Sequence, residues 1–374
     1  MTDHRVDRLA QVLVEYSTRI GRGDRVLIEA EPHAEPLVRA LFVHILKAGG
    51  HPQLLMSLSG LPSSGLKDVF LAYANDEQLD FVPPFYKLAY DTFESRIRIW
   101  SESNTKALTN IDRARLSRRS KAMAPILQAQ LTRGGRDEFR WITTMFPTDA
   151  YAQDAEMSLS EFEDLFFRAC HVDDPDQDPI AYWKAVEDDQ QKAVDAFRGC
   201  DQVIVRGPNC DLTLSIKDRV FINACGHSNM PDGEIHTGPV EKSTDGWIRF
   251  TYPAVYGGNE VEGIELKFVE GRVVDAKAEK NQALLEQMIE IDAGARYLGE
   301  FAIGTNFNIK QITGNILIDE KIGGTIHIAL GSGYPKTGSV NQSAIHWDMI
   351  TDMSEGGEII VDGTVIYQDG AFRL

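Results

Sequence analysis

Six side chains in the last third of the chain have the types and spacing of a metal centre: Glu234, Glu300, Glu320, His327, His346 and Asp348. They are carboxylates and imidazoles, hard-to-borderline oxygen and nitrogen donors with no thiol among them. Such a set suits divalent ions such as Zn, Co or Mn. His327 lies in Thr325-Ile-His-Ile-Ala-Leu330, whose strand-like alternation puts Thr325, His327 and Ala329 on one face. His346 and Asp348 are two apart, so they point the same way on an extended segment; on a helix they would diverge by about 200°. Two divalent ions bring about four positive charges, which the four carboxylates offset while the imidazoles stay neutral as ligands. A pair of ions roughly 3.5–4 Å apart holds an acidified water and stabilises the oxyanion that forms when it attacks.

Each residue has a local case and an alternative. Glu300 follows Leu298-Gly299 and precedes Phe301-Ala-Ile-Gly304. An acid flanked by apolar residues must be paired, metal-bound or turned to water, and the reading favoured here is a carboxylate bridging the two ions. Glu234 follows Gly233 and precedes a β-like Ile-His-Thr, as a ligand or as a turn acid at a strand start. Glu320, between Asp319 and Lys321, is a ligand or a surface turn acid. Asp348 is a ligand or an acceptor for an imidazole N–H. Gly323, Gly324 and Gly331 permit close backbone approach around His327. Tyr334, in the loop after Gly331-Ser-Gly333, is either a rim aromatic or a phenol placed to donate to the oxyanion or the leaving nitrogen. His236 shares the parity of Glu234 and is expected near the site without being a ligand; His227 is expected in a loop.

The elements that must position these residues fall into two styles of text. Residues 5–20 carry Val6, Leu9, Leu13 and Tyr16 on one helical face. A strand over 25–30, a helix over 35–47 and a strand over 53–58 follow, the strand–helix–strand unit of an open α/β sheet. Gly21 and Gly23 precede the first strand, so this is not a dinucleotide fingerprint. Further expectations are a strand within 91–100, a helix over 112–132, a strand over 140–144, a helix over 158–170 capped by Ser158 and Glu161, and a helix over 180–197. Asp173 to Pro179 reads as a solvated acidic turn that caps the last of these. From Gln202 the text turns β-rich, interrupted by a helix expected over 279–295. The fold class expected is an N-terminal α/β domain (1–170) with an open, mostly parallel sheet, a helical connection (171–200) and an α+β catalytic domain (201–374) rich in antiparallel strands.

Composition excludes several partners. The formal charge is −18 over 374 residues, so a nucleic-acid backbone or an anionic membrane would be repelled. Cys170, Cys200, Cys210 and Cys225 lack the close pairing of a zinc knuckle or redox motif and read as free thiols in a reducing compartment. The first residues lack the apolar run of a secretory leader, and no window approaches 18 uncharged apolar residues. A cytoplasmic location is expected.

In their order, these motifs resemble the aminopeptidase T and aminopeptidase S family of thermophilic metalloproteases, which are dinuclear metallo-aminopeptidases. The resemblance rests on Gly233-Glu234, Leu298-Gly-Glu300, Asp319-Glu320, the strand His327-Ile-Ala-Leu-Gly331, Tyr334 seven residues after His327, and His346-x-Asp348. It implies Glu234 as a first ligand, Glu300 as the bridge, Glu320, His327, His346 and Asp348 as the remaining ligands, and Tyr334 as the catalytic tyrosine. It also implies a cytoplasmic homodimer that uses metal-bound hydroxide to release the N-terminal residue of short peptides with a free amine. Here Glu320 stands seven residues before His327, a longer connection than in better-known members. A related branch contains mononuclear iron dioxygenases that cleave dihydroxypyridine; it shares the His-x-Asp pair but has histidine where Glu300 stands and lacks the Gly-Glu of Glu234.

Overall fold

The computed structural model describes residues 3–62 and 65–374. These divide into two compact units, Met1–Trp183 with Gly226–Pro231, and Lys184–Cys225 with Asp232–Leu374. Among the described residues no helix is long and apolar enough to cross a membrane.

The first unit is built on a five-stranded sheet in the order 51–56, 25–30, 95–100, 140–145, 229–230, with every neighbouring pair parallel. The helix Glu35–Lys47 makes the crossover between the first two strands in sequence. Its buried Leu37, Val38, Leu41 and Ile45 recur at helical spacing. The second strand runs from His51 to Met56, not 53–58, because His51 pairs with Arg25 directly after the Gly49-Gly50 turn. As an edge strand it accommodates Pro52, which has no N–H to donate. The short strand expected within 91–100 is Ser95–Trp100, preceded by Asp91 and Thr92 at the end of the helix Pro84–Thr92. The helix Leu159–Ala169 carries the reciprocal cap: Glu161 N–H donates to Ser158 Oγ, and Ser158 N–H donates to Glu161 Oε2 at 2.9 Å.

Inside this unit lies a buried charge cluster that periodicity does not reveal. Glu29 has no exposure, and its register partner Arg98 donates from Nε to Glu29 Oε2 at 2.8 Å. Arg96 is 3.9 Å from the same oxygen, and the phenol of Tyr90 donates to it.

The second unit packs two antiparallel sheets. The larger has eight strands in the order 272–277, 265–269, 245–249, 210–215, 202–207, 358–361, 364–368, 371–372. The smaller has five, ordered 346–352, 325–331, 298–304, 234–237, 222–224. Both share one apolar core: Val203, Val205, Leu212 and Leu266 from the larger sheet join Phe301, Ile303, Ile326, Ile328, Leu330 and Trp347 from the smaller. The strands Leu298–Gly304 and Thr325–Gly331 are buried at every position, so their second faces are covered as well. That second face carries the functional residues. The helix expected over 279–295 is only Gln282–Ile289. Asn281 enters it in the left-handed region, and beyond it Asp292 accepts the N–H groups of Gly294 and Ala295, which turns the chain.

Candidate metal centre

The site is written into the register of the five-stranded sheet. Glu300 lies opposite Ala329, and Ala329 lies opposite Asp348 on the next strand. Ala302 lies between His236 and His327 in the same way, and Gly304 lies opposite Glu234. Neighbouring strands are about 4.8 Å apart. Small residues between the functional ones therefore leave room for carboxylates and imidazoles to converge above Ala302 and Ala329.

Glu320 and Lys321 arrive from outside the sheet, just after the short helix Ile316–Asp319. A Cβ on Gly304 would stand 2.1 Å from the carbonyl oxygen of Ile322, so only glycine lets that segment pass so close to the strand. The segment is held there by Asn306 N–H donating to Lys321 O at 2.9 Å and Gly323 N–H donating to Asn306 O at 3.0 Å.

The donor atoms gather at two places, Glu234, Glu320 and His327 at one and His346 and Asp348 at the other, with Glu300 reaching toward both. In the first, Glu234 Oε2 is 3.5 Å from His327 Nε2, which is 4.0 Å from Glu300 Oε1. Glu320 also offers an oxygen to the group of Glu234 and His327. In the second, His346 Nε2 is 3.1 Å from Glu300 Oε2 and 3.5 Å from Asp348 Oδ1. Glu234 Oε2 and Asp348 Oδ1 are buried and accept no hydrogen bond. Two ligands held at zinc-like bond lengths in a tetrahedron are about 3.3 Å apart, close to these separations. His346 Nδ1 is 2.7 Å from the carbonyl of Ser332, so Nδ1 carries the proton and Nε2 faces the carboxylates.

Electrostatics in the site favour added cations. Burial lifts Glu234 and Glu320 to about 7, against the pull of Lys321. Burial acts on Glu300 in the same direction, but His236 and His346 beside it hold its carboxyl well below the usual range. For His346 burial disfavours the charge, yet Asp348 and Glu300 draw the imidazole well above its ordinary value. A divalent ion at Nε2 would take the place of the proton those carboxylates attract. Asp232, Glu234, Glu300, Glu320 and Asp348 carry five negative charges when ionised, and Lys321 one positive. That leaves four negative charges, or three when His236 is protonated, for divalent ions to offset. The donor set and charge fit such ions.

All six ligand candidates thus lie in one place, and Tyr334 lies beside them. Its ring stands edge-on to His346 and His236, with centroids 5.1 and 5.6 Å away. Sequence reasoning placed His236 near the site without its role, and missed Lys321 altogether. His236 Nδ1 is 2.9 Å from Glu300 Oε1, and His236 offers a donor to Glu234 and Glu300; its shared parity with Glu234 was the available signal. Burial disfavours its charge, but Glu300 outweighs that and lifts it to about 8. Lys321 has no exposure and its ammonium touches Glu234 and Glu320, with Asp232 a third neighbour. No local pattern distinguishes it from a surface lysine. His227 belongs to the other unit, with its ring against Tyr16 at 4.6 Å.

A family model described as thermophilic metalloprotease (M29) matches residues 2–372. The chain belongs to the M29 metalloprotease family. M29 relatives include aminopeptidase 2 of Geobacillus stearothermophilus, 25% identical with 98% of this chain and 94% of that protein covered. Aminopeptidase T of Thermus thermophilus is 26% identical over 98% and 95% of the two chains. The solved structure of wild-type AmpT from Thermus thermophilus shares the fold, with a TM-score of 0.83 at 23% identity over 99% of both chains. The 2,5-dihydroxypyridine dioxygenase of Pseudomonas putida KT2440 has a more distant likeness, with a TM-score of 0.58 at 11% identity over 98% and 96%. As an M29 protein the chain is a metalloprotease, and its divalent metal has the donor groups around Glu300 as candidate ligands.

Proposed function

We propose that the protein is an aminopeptidase that removes the N-terminal residue of short peptides at a centre of two divalent ions, Zn, Co or Mn. The observation that carries this reading is the division of Glu300: Oε1 faces His327 and Oε2 faces His346. A carboxylate placed so is suited to bridge. Glu234, Glu320 and His327 would hold one ion, and His346 and Asp348 the other. When bound, the ions supply Lewis acidity and a water acidified to hydroxide near neutral pH.

The chain's own residues supply the rest. His236 holds Glu300 at the angle that serves both groups. The Ser332 carbonyl fixes the tautomer of His346. The phenol of Tyr334, on a half-exposed ring at the edge of the site, donates to the oxygen on which charge develops. The formal charge of −18 on the whole chain favours a substrate that carries a cationic α-amine. Family relatives named aminopeptidases support this substrate class, and the family resemblance supports a cytoplasmic homodimer.

The test compares a leucyl anilide with its N-acetylated counterpart and measures metal content. Turnover confined to the free amine with two metal equivalents is expected; equal turnover of the acetylated compound rejects an exopeptidase. The alternative reading, drawn from the resemblance to the dihydroxypyridine dioxygenase branch, is ring cleavage by a single iron. The combination of Glu234 and Glu300 supports the peptidase reading, and oxygen uptake with a dihydroxypyridine at one iron per chain would reverse it.

A further inference from the structure

Lys321 belongs to neither donor group, yet it is the most enclosed charge beside them. Its side chain has no exposure. Nζ lies 2.7 Å from Glu234 Oε1, 2.7 Å from Glu320 Oε1 and 3.4 Å from Asp232 Oδ1. The opposite oxygen of Glu234, Oε2, is the one that faces His327. The lysine thus occupies one oxygen on each of two carboxylates and leaves each a single oxygen for a metal. Around His346 and Asp348, among the described residues, no lysine or arginine stands within ion-pair distance.

The asymmetry has a physical consequence. A fixed positive charge touching Glu234 and Glu320 repels a dication drawn to the same carboxylates, and in a water-poor site that repulsion is weakly screened. It also prevents either carboxylate from closing on an ion with both oxygens. The other group meets no lysine or arginine; its cationic neighbour is His236, 2.9 Å from Glu300 Oε1, and that histidine touches only the carboxylate that reaches toward both groups. We propose that Lys321 makes the Glu234–Glu320–His327 position the weaker and exchangeable metal position, and leaves Glu300–His346–Asp348 as the tight one. Lys321 is in this sense a positioning residue, acting through the two glutamates. The inference rests on the two-ion reading of the centre.

The test is a Co(II) titration of the full-length, metal-stripped protein, followed by calorimetry and by the visible absorption of bound cobalt. The wild type is expected to load in two steps whose dissociation constants differ at least tenfold. Lys321→Met and Lys321→Gln remove the charge, and their weaker step is expected to tighten at least tenfold with the tight step unmoved. Lys321→Arg keeps the charge and is expected to keep the steps apart. A single step of two equal equivalents in the wild type overturns the inference without need of any variant, and leaves the two-ion reading standing. So does a weak step that is unchanged or weakened in both neutral variants. One equivalent in every protein refutes the two-ion reading itself, and the inference with it.

Discussion

His236 reaches Glu300 diagonally across neighbouring strands: its register partner is Ala302, yet the imidazole Nδ1 lies 2.9 Å from the Glu300 carboxylate Oε1. The contact orients a carboxylate whose other oxygen serves His346. Partners of this kind are worth about 10–100-fold in metal affinity or activity. His236→Ala is therefore expected to lower kcat/KM on a leucyl substrate by about that factor and to weaken metal retention in dialysis. Unchanged metal content and rate would mean that Glu300 needs no such support.

Glu300→Gln removes the carboxylate that reaches toward both donor groups. The neutral amide keeps the volume but loses the charge that two cations require. Activity is expected to fall by roughly a thousandfold or more, on the scale of losing a preorganised electrostatic stabiliser. Elemental analysis should find fewer than two metal equivalents, and full occupancy would argue against a bridging role.

Tyr334→Phe preserves the ring that packs against His346 and His236 and removes only the hydroxyl. With metal content and KM unchanged, kcat is expected to fall by about 10²–10³. A loss confined to KM would instead assign the phenol to substrate binding.

In the α/β unit, Glu29→Ala leaves Arg96 and Arg98 in a buried cluster without their carboxylate. Breaking a buried pair by removing one partner costs about 3–5 kcal/mol. Urea unfolding should show a midpoint lowered accordingly, whereas a change under 1 kcal/mol would show that the arginines find other partners.

His171 is stacked on Tyr182 with centroids 3.5 Å apart, and burial lowers its pKa to about 4. The unfolded chain, with an ordinary histidine near 6.5, binds more protons than the folded one between those values. Stability is therefore full above about pH 6.5 and declines as pH falls toward 4, by about 1–3 kcal/mol from this residue. His171→Asn, which tolerates the left-handed backbone found there, should flatten that part of the stability–pH curve.

Much of the scaffold was legible because its signals are local. The helix Glu35–Lys47 has the bounds its apolar period indicates, and the Ser158–Glu161 cap forms as spaced. The short helices Lys67–Tyr73 and Asp76–Asp80 went unread, since one or two turns carry too little periodicity to stand apart. Cys170, Cys200, Cys210 and Cys225 are free thiols, as their spacing indicates.

Donor chemistry belongs to residue types, and a period of two decides which face a strand residue takes. Glu300, His327, His346 and Asp348 could therefore be named, and His346 paired with Asp348, from the chain text alone. Which of them meet depends on strand register, and register follows from core packing between distant segments. Only the folded chain sets Ala302 and Ala329 between the functional side chains, brings His236 to Glu300, and encloses Lys321 among carboxylates. A buried lysine and a surface lysine are spelled alike; three-dimensional packing and the acids that packing brings together distinguish them.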